Sequence, residues 1–460
     1  MPARDRHAEP SPKVRRPARD LRAPRAASLL LWGGALLGAG LAAHGYAADR
    51  SPAFFGGVSV VIGSLAALSL VRVRAGAQRL PLVLNGVVAL LLGIVLLEVP
   101  LRLVAARDAP LPRPVYGFDE AQRDPRAFRV WAQAYLDEWN RTQPLYLGPD
   151  PRCVNPMVPI PGARFRFFDS PHRINALGFR GPEIDRAKGA HYRIVALGES
   201  TTFGATLEAG DRPWPEILAS RIATDLACER PVQVINAGVP GWTLANNLAR
   251  LVADVWPLAP DAIVSYHGYN GLPYLIRGIP SIQLEESTTP PKRPSLVLRR
   301  LERALRSWRT RLRFDAARDI DPSALETDLH LNRYAELYRE LVFAAREARV
   351  HLFLATFSLA VDAHSPDPVI SFYEAMFPDL RARILANRLH NQLVRDVGRR
   401  YRVPVIETSE GLDGAWQTAY IDPMHMTQSG RDRLAAHVLD GLAPLLAREA
   451  GCHPHVGAPR

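Results

Sequence analysis

Three cysteines in 460 residues are too few for a disulfide scaffold, and no Gly-x-Ser-x-Gly segment occurs, which argues against an α/β-hydrolase nucleophile elbow. Lysine is almost missing: Lys13, Lys188 and Lys292 leave arginine to supply 54 of the 57 basic side chains. Such a bias reflects a GC-rich genome as easily as guanidinium chemistry. Apolar residues are not scarce. With 47% hydrophobic and 22% charged residues, global disorder is excluded, and the length suits two or three structural units. In excess is positive charge, 57 Lys+Arg against 46 Asp+Glu, for a net +11 and a pI near 9.9. That balance points to nucleic acid or an anionic membrane only where the charge forms a patch.

The charge is unevenly spread. Residues 1–25 carry eight basic and three acidic side chains among five prolines, and read as a solvated cytoplasmic tail. Together with Arg72, Arg74 and Arg79, the first 80 residues hold +8 of the +11. Between these charges lie three apolar runs, 26–48, 51–71 and 80–97, of 23, 21 and 18 residues. Spanning a bilayer takes about 17–25 such residues, so an anchor of three transmembrane helices is expected at about 26–48, 51–71 and 80–101. The positive-inside rule keeps the N-terminus cytoplasmic and puts everything after Arg102 outside, in a periplasmic or other extracytoplasmic space. A signal peptide ending near Gly45–Ala48 is the rival reading and leaves the C-terminal domain on the same side. Gly34 to Gly38 form a GxxxG, either a helix contact or an incidental pair. The charge thus reads as topology-setting, and no nucleic-acid partner is expected.

A connector with edge elements occupies 106–164, and a globular domain 165–450, followed by a tail, 451–460. Alternation at 164–169 and 174–180 predicts a hairpin. Strands are expected at 192–197, 232–236, 262–266, 351–356 and 403–407. Helices are expected at 214–227, 243–255, 331–348, 381–400 and 430–448. Strands alternating with amphipathic helices predict an α/β fold with a parallel sheet covered on both faces, whose chemistry sits at the strands' carboxyl ends.

Four segments stand there. Ser200 follows the first strand, either as a nucleophile or as a helix N-cap. Asn236–Gly241 follows the second, where glycines make a tight turn or let a backbone N–H approach a substrate oxygen. After the third, Asn270 precedes Gly271, as an amide donor or a turn signal. Asp422-Pro423-Met424-His425 precedes the last helix, with a carboxylate placed to orient an imidazole; a metal reading of this pair is weaker, for want of further ligands at suitable spacing.

In this order the four blocks resemble the SGNH subgroup of the GDSL esterase/lipase family. The stretch Asn175–Gly181 resembles the lead-in of its bacterial members, and the likeness covers about residues 165–448. The resemblance implies a flavodoxin-like three-layer α/β/α sandwich, with no cofactor and no metal. It implies Ser200 as nucleophile, His425 as general base and acid, and Asp422 as its orienter. The backbone amides of Ser200 and Gly241 and the side chain of Asn270 would form the oxyanion hole. Two positions depart from the pattern. Glu199 replaces the usual Asp, a position expected to support the turn. Gly271 stands where Asp is frequent, which is expected to loosen the Asn270 loop.

Residues 271–330 form an insertion with a leucine-rich, arginine-rich helix at 298–313, either a lid or a membrane-surface helix. Outside the cytoplasm, one disulfide among Cys153, Cys228 and Cys452 is permitted, and the sequence does not choose it. The expected function is a membrane-anchored serine esterase acting on O-acyl, chiefly O-acetyl, esters of an acylated carbohydrate or a lipid. An acyltransferase for envelope or exported polysaccharide, and a non-catalytic glycan- or partner-binding module, are the competing readings.

Overall fold

The computed structural model describes residues 22–47, 58–68, 84–85, 87–89, 91–92, 135, 138–139, 141–152, 155–168, 170–207, 210–275, 332–374, 377 and 379–455. The chain divides into two compact units, 1–107 with 291–304, and 108–290 with 305–460.

In the first unit, α1 (Arg22–Ala47) contacts a helical stretch at 58–68. A Cβ on Gly34 would lie 2.8 Å from Ser64 Oγ, so the first glycine of the GxxxG does sit at a helix contact. Ala35, Leu65, Leu68 and Leu84 gather into a small buried cluster. Among the described residues, no helix is long and apolar enough to cross a membrane. The 26-residue α1 takes in Arg22, Arg25 and His44. The second expected span is described only over 58–68, whose length of about 16 Å is half a hydrocarbon core. The third is described only in fragments between 84 and 92, and the basic tail 1–21 and the loop 72–79 lie outside the described residues. The fold therefore does not bear out the three-span anchor.

In the second unit, helical residues between 135 and 146 lead into an antiparallel pair, β1 (Leu147–Pro149) and β2 (Met157–Pro159). The next hairpin closes earlier than the alternation predicts. β3 (Arg164–Phe167) pairs with β4 (Ser170–Arg173), Phe167 opposite Ser170, because Phe168 turns the chain at φ +50°. The segment expected as the second arm supplies single bridges instead, Ile174 to Arg180 and Arg180 to Asn236.

The chain then runs through β5 (Tyr192–Gly198), α2 (Ser200–Phe203), α3 (Trp214–Asp225), β6 (Leu226–Ala227), β7 (Val232–Asn236), α4 (Leu244–Arg250) and β8 (Ala262–Tyr266). It continues through α5 (Arg333–Glu347), β9 (His351–Ala355), α6 (Asp367–Glu374), α7 (Leu380–Tyr401), β10 (Val405–Ile406), α8 (Gln428–Ala450) and β11 (His453–Pro454). The main sheet is parallel in the order β10-β9-β8-β5-β7. Side chains of β5 alternate between two cores. Ile194 and Ala196 pack with Trp214 and Leu218 of α3 and Leu434 and Leu442 of α8. Val195 and Leu197 pack with Leu244 of α4, Leu341 of α5 and Leu393 of α7. Burial on both faces gives the three-layer α/β/α sandwich. The strand order departs from β5 in opposite directions, which opens a crevice at the carboxyl ends of β5 and β8.

The C-terminal segment expected as a tail is tied down through residue 455. β11 pairs with β6, and Cys452 forms a disulfide with Cys228. Cys153 lies outside the described residues, as does most of the insertion, 276–331, with its expected basic helix.

Candidate active site

The turn after β5 is built on close approach. A Cβ on Gly198 would come within 2.1 Å of Thr202 Oγ1 and 2.6 Å of the Tyr266 carbonyl oxygen, so a larger residue would break the turn. Asn236 clamps it from β7: its Nδ2 donates to the Thr202 carbonyl at 2.8 Å, and its Oδ1 accepts from Gly238 N–H at 3.0 Å. Asn247 Nδ2 donates to the Gly198 carbonyl at 3.2 Å. Ser200 is thereby held at the start of α2, 8% exposed.

Ser200 Oγ lies 2.8 Å from His425 Nε2, and His425 Nδ1 lies 2.6 Å from Asp422 Oδ2. The other carboxylate oxygen of Asp422 accepts the backbone N–H groups of Met424 and His425 at 2.9 and 2.7 Å, which shapes the Asp-x-x-His turn. With Nδ1–H directed at the carboxylate, the Nε2 lone pair faces the serine hydroxyl. Burial pushes the Asp422 carboxyl up. The charge and hydrogen bond of His425, with those of Tyr135 and the backbone, outweigh it and hold the carboxyl below its ordinary range.

Tyr135 was not among the sequence candidates. Its hydroxyl donates to Asp422 Oδ2 at 2.5 Å, from 287 residues away in the chain. Burial, and then the Asp422 charge, raise its pKa well above the usual phenol value, so it remains a neutral donor. Trp139, one helical turn on, places its ring 5.2 Å from the His425 ring. The two residues belong to an aromatic layer. Trp139 packs edge-on against Phe167 at 4.7 Å, Tyr146 stacks on Phe165 at 4.8 Å, and Tyr146 also stacks on Phe203 of α2 at 5.5 Å. Val239 of the second block and Trp242, just after it, close the layer. Glu138 fixes the helix to the hairpin by accepting Phe168 N–H at 3.1 Å. The available signal was the four-residue spacing of Trp131, Tyr135 and Trp139 within a segment read as connector.

Of the expected oxyanion groups, Asn270 is tied to the segment that carries Gly241. Gly241 has φ +81°, a conformation that favours glycine. Asn270 Nδ2 donates to the carbonyl of the adjacent Trp242 at 2.8 Å, which ties the third block to the second. A primary amide keeps a second N–H for a substrate oxygen. Among the described residues, no group of three or more His, Cys, Asp or Glu side chains is placed to hold a metal ion.

The model of the GDSL-like lipase/acylhydrolase family matches residues 196–433, which takes in Ser200, Asn236–Gly241, Asn270, Asp422 and His425. The chain belongs to this family. It is a carboxylic ester hydrolase. Solved structures similar to it include a lipase/acylhydrolase from Enterococcus faecalis, at 19% identity and TM-score 0.33, covering 55% of this chain and 96% of that one. An acetyl-xylooligosaccharide esterase from Geobacillus stearmophilus matches at 15% identity and TM-score 0.33, covering 55% and 94%. An α/β hydrolase from a Lake Arreo metagenome matches at 17% identity and TM-score 0.34, covering 55% and 96%. No curated protein matches the chain.

Within this GDSL-like hydrolase the two departures from the family pattern are linked. Glu199 does not cap its own turn. Its longer side chain reaches to the loop after β8, where its two oxygens accept Gly268 N–H at 3.1 Å and Asn270 N–H at 2.9 Å. Gly271 leaves room for Tyr334, whose ring a Cβ would meet at 2.5 Å. Arg383 adds a bond to the Tyr269 carbonyl at 2.7 Å. The expectation of a loosened Asn270 loop is thus corrected: a carboxylate from the first block and a tyrosine from α5 hold it. Burial raises Glu199 to about 7 against these hydrogen bonds.

Proposed function

We propose that the protein is a serine esterase in which His425 takes the Ser200 proton as Oγ attacks an ester carbonyl. The tetrahedral oxyanion is received by the amides of Ser200 and Gly241 and the Asn270 side chain. His425 then protonates the departing alkoxide, and water, activated by the same imidazole, releases the acid from the acyl-serine. The observation that carries this reading is the unbroken chain Ser200–His425–Asp422, at 2.8 and 2.6 Å. We read the low exposure of Ser200 and the Trp139 ring beside His425 as favouring short acyl groups, O-acetyl esters of an acylated carbohydrate first. The test is hydrolysis of p-nitrophenyl acetate against p-nitrophenyl octanoate, with fluorophosphonate labelling of the wild type and of Ser200→Ala. Labelling that survives Ser200→Ala defeats the nucleophile assignment. Acetyl transfer to an added oligosaccharide in excess of free acetate would make the protein a transferase.

We also propose that the first unit anchors the hydrolase in a membrane, with the catalytic unit extracytoplasmic. Large apolar side chains stay exposed there, among them Leu30, Leu36 and Leu37, while Gly34 and Ala35 face a neighbouring helix. That arrangement suits an apolar solvent. The Cys228–Cys452 disulfide supports an oxidising compartment. Retention in the pellet on alkaline carbonate extraction supports the anchor, and release into the supernatant refutes it.

A further inference from the structure

A cavity of about 650 Å³ opens between the loop after β9 and helix α7, lined by none of the residues of the catalytic reading. One wall is apolar, with Ile370 and Ile384. The rest of the lining is mostly polar. Asn387, 4% exposed, gives its Nδ2 to the Phe357 carbonyl at 3.0 Å, while its Oδ1 has no hydrogen-bond partner. Asp413 lines the same space with Asp362, and burial, followed by the Asp362 charge, raises Asp413 to about 6. Asn387 Oδ1 is sealed beneath the lining; Asp413 Oδ1 accepts the Leu359 N–H, and its Oδ2, with no hydrogen bond among the described residues, is open to a donor that a ligand would bring.

Charge does not choose the ligand. Arg381 is held by Asp367 at 3.0 Å and Glu374 at 3.1 Å, and Arg395 by two bonds of 2.8 Å to Glu407. Arg388, exposed on the rim, has no ion-pair partner among the described residues and is left as a donor. A lining that mixes carboxylate and hydroxyl acceptors with guanidinium and hydroxyl donors, beside the aliphatic Ile370 and Ile384, matches a sugar ring, whose hydroxyls both donate and accept and whose C–H face is apolar.

The cavity is one loop from the catalytic turn. Leu359 N–H donates to Asp413 Oδ1 at 2.9 Å, and the next residue, Ala360, donates to the Pro423 carbonyl at 2.9 Å, beside Asp422. We propose that this cavity is a carbohydrate subsite, which holds unacylated sugar units of a neutral glycan whose ester is presented to Ser200. The glycan's role as substrate rests on the esterase reading above.

The test uses the full-length Ser200→Ala protein and ester-free probes, xylotetraose and chitotetraose, by titration calorimetry. Binding of at least one sugar is expected, weakened about tenfold by adding Arg388→Ala. In the active protein Arg388→Ala is expected to leave p-nitrophenyl acetate hydrolysis within about twofold of the parent. No binding of either sugar up to about 10 mM, or binding unchanged by Arg388→Ala, overturns the subsite. Because these sugars carry no ester, a wild type inactive on p-nitrophenyl acetate would defeat the esterase reading and still leave the binding result readable.

Discussion

The candidate active site has two sides built by different physics. Ser200, Gly241, Asn270, Asp422 and His425 stand on loops at strand ends, held by glycines at points of close approach and by polar clamps from Asn236, Asn247 and Glu199. Tyr135 and Trp139 stand on an aromatic layer held by ring packing around Tyr146, Phe165, Phe167 and Phe203. The polar side carries groups that would touch the reacting atoms. The aromatic side lies behind them, with Tyr135 on Asp422 and Trp139 beside His425. Disruption of the first should therefore cost catalysis outright, whereas disruption of the second should cost the precision with which Asp422 and His425 are held.

Four experiments sharpen or break that contrast. The largest loss is expected for Asp422→Asn, about 10⁴-fold in kcat, since the amide favours the wrong imidazole tautomer. If its loss were no greater than that of a Tyr135 variant, the two sides would be equivalent. Asn270→Ala is expected to lower kcat by about 10²–10³-fold with little change in KM, the signature of a donor used in the transition state. An effect on KM alone would reduce Asn270 to a tether for Trp242.

Glu199 is read through stability. Its folded pKa, about 7, lies above the ordinary 4.5, so the folded state binds this proton more tightly than the unfolded state does. Stability conferred by the protonated form is present below pH 4.5 and is lost as pH rises through 7, by at most about 3 kcal/mol. Glu199→Gln should abolish that fall, as measured by urea denaturation at pH 5 and pH 8. An identical pH dependence in variant and wild type would show that Glu199 is not protonated in the fold. The smallest effect is expected for Tyr135→Phe, which keeps the ring and removes one hydrogen bond to a carboxylate, about tenfold in kcat. Asp422 would then lose a donor that lowers its pKa, and the acid limb of the pH–rate profile should move upward. A profile unchanged in height and position would make Tyr135 packing only.

Most of the sheet was legible because β5 and β8 are buried on both faces, β7 is partly buried at the edge, and their apolar residues stand between turn residues. The hairpin register was not, since the turn depends on Phe168 in a left-handed conformation that Glu138 supports from another element. The helix expected at 243–255 is α4 continued by a π turn, Leu251–Val255, a change of pitch that leaves the apolar pattern almost unaltered. Glu199 was visible as a departure from a pattern, but its reach to Gly268 and Asn270 depends on the spacing of β5 and β8 in space.

By itself the sequence determined the α/β order and the residues able to carry ester chemistry, because local periodicity and the Asp-x-x-His spacing are properties of neighbouring residues. Only the tertiary structure decided what stands behind them. Tyr135 meets Asp422 across 287 positions, and Cys228 meets Cys452 across 224. Contacts that long leave no periodic trace in the chain. They exist because the sandwich, once its two cores close, brings those surfaces together.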